Sequence, residues 1–258
     1  MTNRHNDMTP RILDEHSLKA REQDIIDATI ALIEKHGVEN ITIDKVVAAV
    51  SYSKGTVYKH FLGKEDLLLA IGNQAITIMH DLFNRAAQYQ GSARARMLLL
   101  NVSNLIYAIL HPALFKSVQC SKSPNVYGKC SAKRLQEQEQ LEAKVMGTTF
   151  GIIEDAIANK EFVLPKHMTL QQVCFATWSQ TFGVISILSS EVEQCSGSSG
   201  LVVERELFNQ TNLLLDGLQW VPYSAEKDYK QSLKSALALV FPSELALLKS
   251  MGREFNFN

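Results

Sequence analysis

The chain has 258 residues, of which 46% are hydrophobic and 21% charged, with a formal net charge of −1. That composition supplies a sizeable core and excludes both a highly charged disordered chain and a small scaffold held by staples. A net charge so close to zero gives no global attraction to polyanions, so any nucleic acid must be met by a local patch.

The four cysteines, Cys120, Cys130, Cys174 and Cys195, stand far apart, with no Cys-x-x-Cys pair and no His-x-x-x-His to complete a zinc site. They are expected to be reduced thiols, with a redox role for Cys120 or Cys130, which flank an expected loop, as the alternative. No metal and no cofactor is expected. The N-terminal stretch lacks the apolar centre of a signal peptide and no later apolar run reaches a membrane-spanning length, which points to a cytoplasmic protein without a membrane partner.

Only 6 prolines and 13 glycines punctuate the chain, and between them apolar residues recur at three and four, so an all-α fold is expected. Residues 1–17 read as a flexible arm; Arg4 and Arg11 can reach a DNA groove, but a solvated tail is the commoner outcome. A first helix is expected over 18–36, with Ile25, Thr29, Leu32, Ile33 and His36 on one face and Gly37 taking the left-handed conformation after it. Thr42 is an N-cap for a short helix carrying Ile43, Val46, Val47 and Val50. Ser51 and Tyr52 form a turn, and Ser53 caps a third helix reaching His60, with Val57 inward and Lys54, Thr56, Tyr58 and Lys59 outward. A fourth helix begins near Gly63 and carries Leu67, Ile71, Ala75, Ile78 and Leu82.

Longer helices are expected over 93–110, 112–119, 131–160, 169–190 and 201–219, with 195–200 (CSGSSG) as a flexible connector. Extra helices follow from about 223, one over 224–240 and one restarted by Pro242 and ended by Gly252.

Two short helices, a tight turn and a preceding longer helix have the size of a DNA-reading tri-helical unit, here assigned to 18–66. Between Ser51 and Lys64 the lysines Lys54, Lys59 and Lys64 occur with no Asp or Glu, a local positive patch on a neutral protein. Gly55 weakens so short a helix, which makes sense where the backbone must approach another molecule, although loop-like irregularity is the plainer reading. Tyr58 can donate to a phosphate, or be a half-buried structural tyrosine. Lys64 sits in a first helical turn, where a bound phosphate would reverse the macrodipole penalty; an ordinary exposed lysine competes with that reading. His60 can touch phosphate or cap its helix.

From Arg21 to Leu67 the residues Gly37, Thr42, Ser53-Lys54-Gly55-Thr56-Val57-Tyr58-Lys59-His60-Phe61, Lys64-Glu65 and Leu67 together resemble the N-terminal signature of the tetracycline-repressor (TetR) family. The resemblance implies that Thr42, Ser53, Lys54, Thr56, Tyr58, His60 and Lys64 contact DNA, the last mostly through phosphate. Val47, Ser51 and Tyr52 depart from the family pattern, where alanine, glycine and a small aliphatic are usual. Serine strains a turn that needs positive φ, and Tyr52 can add a DNA contact and alter the operator read.

Residues 67–258 are expected to bind an effector and to dimerise. The helices at 169–190 and 201–219 are apolar on more than one side, and so resemble the pair that forms the four-helix dimer interface of TetR proteins; a fully buried helix pair in a monomer is the alternative. Val173, Thr177, Thr181, Ile185, Leu188, Phe208 and Leu215 are the interface residues expected. Tyr107, His111, Phe115, Met146, Phe150, Trp178 and Phe182 are candidates to line a ligand cavity, or ordinary core. Few basic residues share those faces, which favours a neutral or hydrophobic effector over a phosphate-rich one.

The expected function is that of a dimeric, ligand-responsive transcriptional regulator, a repressor released from a palindromic operator in double-stranded DNA when a small effector binds. A ligand-independent DNA-binding protein and an all-α enzyme are the alternatives. Against the enzyme, the chain has no Gly-x-Gly-x-x-Gly, phosphate loop, His-Glu-x-x-His or Gly-x-Ser-x-Gly.

Overall fold

The structure, a computed structural model, describes residues 14–121, 127–189 and 196–257. Most of the arm expected over 1–17, the Cys120 side chain and Cys195 therefore lie outside the described residues. Helix α1 (Glu15–His36) starts earlier than the pattern suggests, because the Asp14 carboxylate accepts the Ser17 N–H at 2.7 Å and caps it. It stops at Gly37, whose N–H returns to the Ile33 carbonyl at 2.8 Å. Gly37 has the positive φ expected (80°), but its ψ of 152° is extended rather than left-handed helical, a combination close to glycine-only, and the chain passes into a short 3-10 turn, Val38–Asn40. His36, expected on the buried face, is exposed at the helix end, and Ile26 takes its place inside.

Ten further helices follow among the described residues: α2 (Ile43–Ala49), α3 (Lys54–His60), α4 (Lys64–Ala87), α5 (Ala93–Leu110), α6 (Pro112–Ser121), α7 (Ala132–Ala158), α8 (Leu170–Leu188), α9 (Val203–Gly217), α10 (Tyr229–Val240) and α11 (Pro242–Ser250). No described residue is in a strand, and no described helix is long and apolar enough to cross a membrane. Side-chain caps set many of the starts. Thr42 accepts from Lys45 N–H, Ser53 from Thr56, Ser92 from Ala95, and Thr169 forms a reciprocal capping box with Gln172. The helix expected from 224 begins only at Tyr229, where Asp228 caps it; before it, Ser224 is tied by its N–H and hydroxyl to the Asp216 carboxylate. Ser51 carries no strain, since the described non-glycine residues with positive φ are Lys160 and Gln219.

Helix α5 is the centre of the larger C-terminal part. Nearly every one of its residues is buried, and α4, α6, α7, α8, α9, α10 and α11 all pack on it. Arg94, wholly buried near its start, donates to the Trp220 carbonyl (2.9 Å), the Asn212 side chain (2.9 Å) and the Asp216 carboxylate (2.7 Å), and lies over the Tyr229 ring. One cation thus ties α5 to the end of α9 and to the segment leading to α10. The segment after Pro222 covers several elements: α10 and α11 pack on α5, Arg85 of α4 pairs with Glu244 of α11, and in the tail after α11 Phe257 packs on Phe208 and Arg253 pairs with Glu204 of α9 at 2.9 Å.

Burial pushes the Asp216 carboxyl up, but Ser224 and Arg94 together hold it below the usual carboxylate range. A carboxylate with a depressed folded-state pKa stabilises the fold above its unfolded pKa, about 4. That contribution is lost as pH falls through the lower folded value. Arg94→Leu, which leaves Asp216 and the carbonyls without their donor, is expected to cost about 3 kcal/mol. Urea unfolding at pH 7 checks the loss, and at pH 3 the gap between variant and parent should narrow.

Candidate nucleic-acid interface

Helices α2 and α3 are held from beneath by one apolar cluster. Val46, Val57 and Phe61 are fully buried with Ile25, Ile33 and Ile41. That burial leaves Lys54, Gly55, Tyr58 and Lys59 on the outer side of α3, with Tyr58 46% exposed despite its size. Thr42 and Ser53, exposed at the starts of α2 and α3, serve as caps, and the Ser53 and Thr56 hydroxyls share a hydrogen bond at 3.0 Å. An added methyl on Gly55 would meet only the Ser53 hydroxyl, at 3.9 Å, so nothing in the chain itself demands glycine there.

The lysines are less uniform than their spacing suggests. The Lys54 ammonium pairs with Asp44 at 2.7 Å, and that hydrogen bond and charge raise its pKa above the ordinary value. Lys64 reaches sideways from the first turn of α4 to the Glu39 carbonyl at 3.2 Å, bracing the 3-10 turn. Lys59 is the exposed cation nearest the end of α3.

Two expected DNA contacts are placed otherwise. The His60 side chain is only 7% exposed, with its Nδ1 3.6 Å from the Glu22 carboxylate, because the last position of α3 turns under toward α1. The Tyr52 hydroxyl donates to Asp24 of α1 at 2.6 Å, and the Arg21 guanidinium lies over its ring. Tyr52 is thus a strut between α1 and the turn, its hydroxyl already engaged.

Beneath these residues lies a polar cluster with no local signature in the sequence. The Asp66 carboxylate, in the first turn of α4, is 2% exposed; it accepts the Leu62 N–H at 3.0 Å and the N–H and hydroxyl of Ser131, each at 2.9 Å. Arg134, in the first turn of α7, joins it at 3.5 Å, donates to Glu22 at 3.0 Å, and stacks over Phe61.

In the C-terminal part, Tyr107, His111, Phe115, Phe182 and Trp178 come together as an aromatic file. Successive ring centroids are 5.8 Å apart for Tyr107 and His111, 6.3 Å for Tyr107 and Phe115, 5.9 Å for Phe115 and Phe182, and 5.8 Å for Phe182 and Trp178. It continues to Phe175, 5.6 Å from Trp178. Burial keeps the Tyr107 hydroxyl protonated and holds the His111 imidazole below its ordinary pKa, against the opposing pull of Glu34, so both are neutral near pH 7. Met146 and Phe150 on α7 are half-buried against the same core, Met146 in contact with the Cys174 thiol. Burial and the carboxylates of Asp66 and Glu65 push the Cys130 thiol up to about 11, which disfavours the thiolate that redox chemistry needs.

The expected dimer residues need correction. Val173, Thr177, Thr181, Ile185, Phe208 and Leu215 are buried within the single chain, and Leu188 half-buried, so this seam of α8 and α9 packs inward and offers no surface to a second copy. The side of α8 flanking that seam carries Phe175, 60% exposed, and Trp178, 49% exposed, with half-buried Phe182 at the same helical spacing, and α9 adds exposed Leu213.

Comparison with known proteins adds to this geometry. Residues 25–71 match the family model described as bacterial regulatory proteins, tetR family. An uncharacterized HTH-type transcriptional regulator of Mycobacterium tuberculosis is 35% identical over 60 residues, which are 23% of this chain and 30% of that protein; the match thus spans under a third of this curated relative. Among solved structures, the TetR family transcriptional regulator PfmR from Thermus thermophilus is similar with a TM-score of 0.56 and 15% identity, over 75% of this chain and 98% of that one. FadR from Bacillus subtilis, solved in complex with stearoyl-CoA, is similar with a TM-score of 0.56 and 14% identity, over 76% and 97%. At such identities the likeness is one of fold.

Gly55→Ala is expected to fold normally and to gain about 0.5–1 kcal/mol, because alanine restricts the unfolded chain and the added methyl is accommodated. A fall in the urea midpoint would show that α3 tolerates no side chain there.

Proposed function

We propose, from the premise that this chain belongs to the TetR family of transcriptional regulators, that it is a homodimeric, ligand-responsive repressor reading a palindromic operator with the outer face of α3. The observation that carries the reading is the outer surface of that helix: exposed Tyr58 and Lys59, and a glycine its own chain does not require. Tyr58 and Lys59 supply phosphate contacts, Thr42, Ser53 and Thr56 supply hydroxyls, and Gly55 lets the backbone come close. Lys54 must exchange Asp44 for phosphate as it binds, and an exposed ion pair of this kind is weak enough to yield. Two such helices, one per protomer, fit half-sites about one helical turn apart.

The exposed aromatic face of α8 supports the dimer. An apolar patch of this kind is unfavourable in water, and a second copy laying its own α8 and α9 against it removes Phe175, Trp178 and Leu213 from solvent together. The aromatic file behind that face supports an effector that is largely apolar, oriented by the neutral Tyr107 hydroxyl and His111 imidazole. The stearoyl-CoA held by the FadR neighbour offers a probe of that chemistry.

Anisotropy with a duplex selected from a random library by the parent protein tests the DNA reading. Lys59→Ala is expected to weaken binding about tenfold and to lower the slope of log affinity against log salt by about one. Gly55→Ala should weaken binding despite its gain in stability. Unchanged affinity in both variants would remove α3 from the interface. In sedimentation, Phe175→Glu is expected to give monomers, and a persistent dimer would place the contact elsewhere. Trp178 emission should respond to stearoyl-CoA and not to CoA alone; a response to CoA alone would overturn the apolar-effector reading.

A further inference from the structure

We propose that Arg134 is a positioning residue for DNA recognition, the group through which the first turn of α7 sets the orientation of α3. The proposal rests on the reading of α3 as the DNA-contacting helix. Arg134 is almost fully buried and belongs to the C-terminal part of the chain, yet its guanidinium ends among elements of the N-terminal unit. One terminal nitrogen donates both to the Glu22 carboxylate of α1 at 3.0 Å and to the main-chain carbonyl of His60, the last residue of α3, at 3.3 Å. Its Nε lies 3.5 Å from the Asp66 carboxylate of α4, and the guanidinium plane covers the Phe61 ring at 4.8 Å. A single planar cation therefore touches α1, the end of α3 and α4 at once, a bridging geometry that the point charge of a lysine cannot reproduce.

Both sides of this bridge are anchored. The main chain of Arg134 is held by Asn73 of α4, whose side-chain N–H donates to its carbonyl at 3.0 Å, and Ser131 before it is fastened to Asp66. On the other side, one Glu22 oxygen accepts from Arg134 and the other lies 3.6 Å from His60 Nδ1, so the end of α3 is gripped through its carbonyl with its side chain alongside. Helix α7 then runs on to Met146, whose sulfur meets the Cys174 thiol of α8, and to Phe150, both packed against the core. At 1.5 Å per residue, Phe150 lies about 24 Å along the same helix from Arg134. Because the helix is continuous between the two positions, a displacement among its later residues has a hydrogen-bonded main-chain route to the guanidinium and so to the carbonyl end of α3.

The Arg134 side chain is only 10% exposed, although it lines an open hollow with Tyr58 and Lys59, so the salt dependence of binding is what separates positioning from phosphate contact. In the full-length protein, Arg134→Gln is expected to raise the Kd for the selected duplex at least tenfold with the salt slope unchanged, whereas Lys59→Ala lowers the slope. Hydrogen exchange of the amides over 54–61 should quicken at least tenfold, with exchange in α5 unaltered. Glu22→Gln, at a half-exposed position, removes the shared carboxylate without burying an unpaired charge; it should show the same pattern in milder form, and the double variant should be no worse than Arg134→Gln alone. Arg134→Lys should rescue overall stability but not the protection of α3.

Affinity within twofold of the parent and unchanged α3 exchange in folded Arg134→Gln or Glu22→Gln would overturn the proposal. So would a salt slope reduced by one in Arg134→Gln, which would make Arg134 a phosphate contact. Hydrogen exchange needs no DNA, so a parent protein that binds no duplex would sink the reading of α3 while the exchange result still decides the role of Arg134.

Discussion

Helices α2 and α3 are seven residues each, too short to persist in water on their own, so their geometry depends on what the rest of the chain packs beneath them. The side-chain caps of Thr42 and Ser53 satisfy part of their free main-chain donors, but the decisive support is the buried floor of Val46, Val57 and Phe61 against α1. Because the inward residues carry the folding energy, the outward ones are free to be chosen for another molecule. Tyr58, Lys59 and Gly55 occupy such positions.

The floor is not independent of the rest of the molecule. Helix α4 begins beside α3 and ends beside α11, and its densest packing is with α7 and α5, so the reading unit and the larger helical part share one continuous element. At the junction a carboxylate, Asp66, is buried with main-chain, hydroxyl and guanidinium donors around it. Breaking one member of such a cluster leaves the others desolvated and unpaired, which is why it holds geometry more firmly than apolar contact would. A mobile, surface-exposed link would let α3 move without consequence for the core; this one does not.

The same helix, α8, carries an inward seam closed by α9 and α5 and an outward face of large aromatics. The inward seam is complete within one chain. The outward face sits at the surface end of the ring file that begins at buried Tyr107, so an occupant of the file and a neighbour on the face would act on the same side chains, Trp178 and Phe182. That adjacency lets a change in the interior be felt at the exposed face of α8 without a long chain of intermediates.

What the sequence by itself determined is what depends on near neighbours. Helix starts at Thr42, Ser53 and Thr169, the stop at Gly37, the inward Val57 and the all-α class follow from caps and from apolar spacing, interactions that span a few residues. The tertiary structure decided which of two apolar faces of α8 turns inward, since a helix apolar on more than one side carries no periodicity to choose between them, and the choice went against Val173, Thr177 and Ile185 as interface residues. It also decided the fates of Tyr52 and His60, whose partners Asp24 and Glu22 lie on another helix, and of Arg134, which meets the end of α3 across 74 positions of sequence. Such contacts exist only once the chain has closed its loops, and no local pattern of residue types records them.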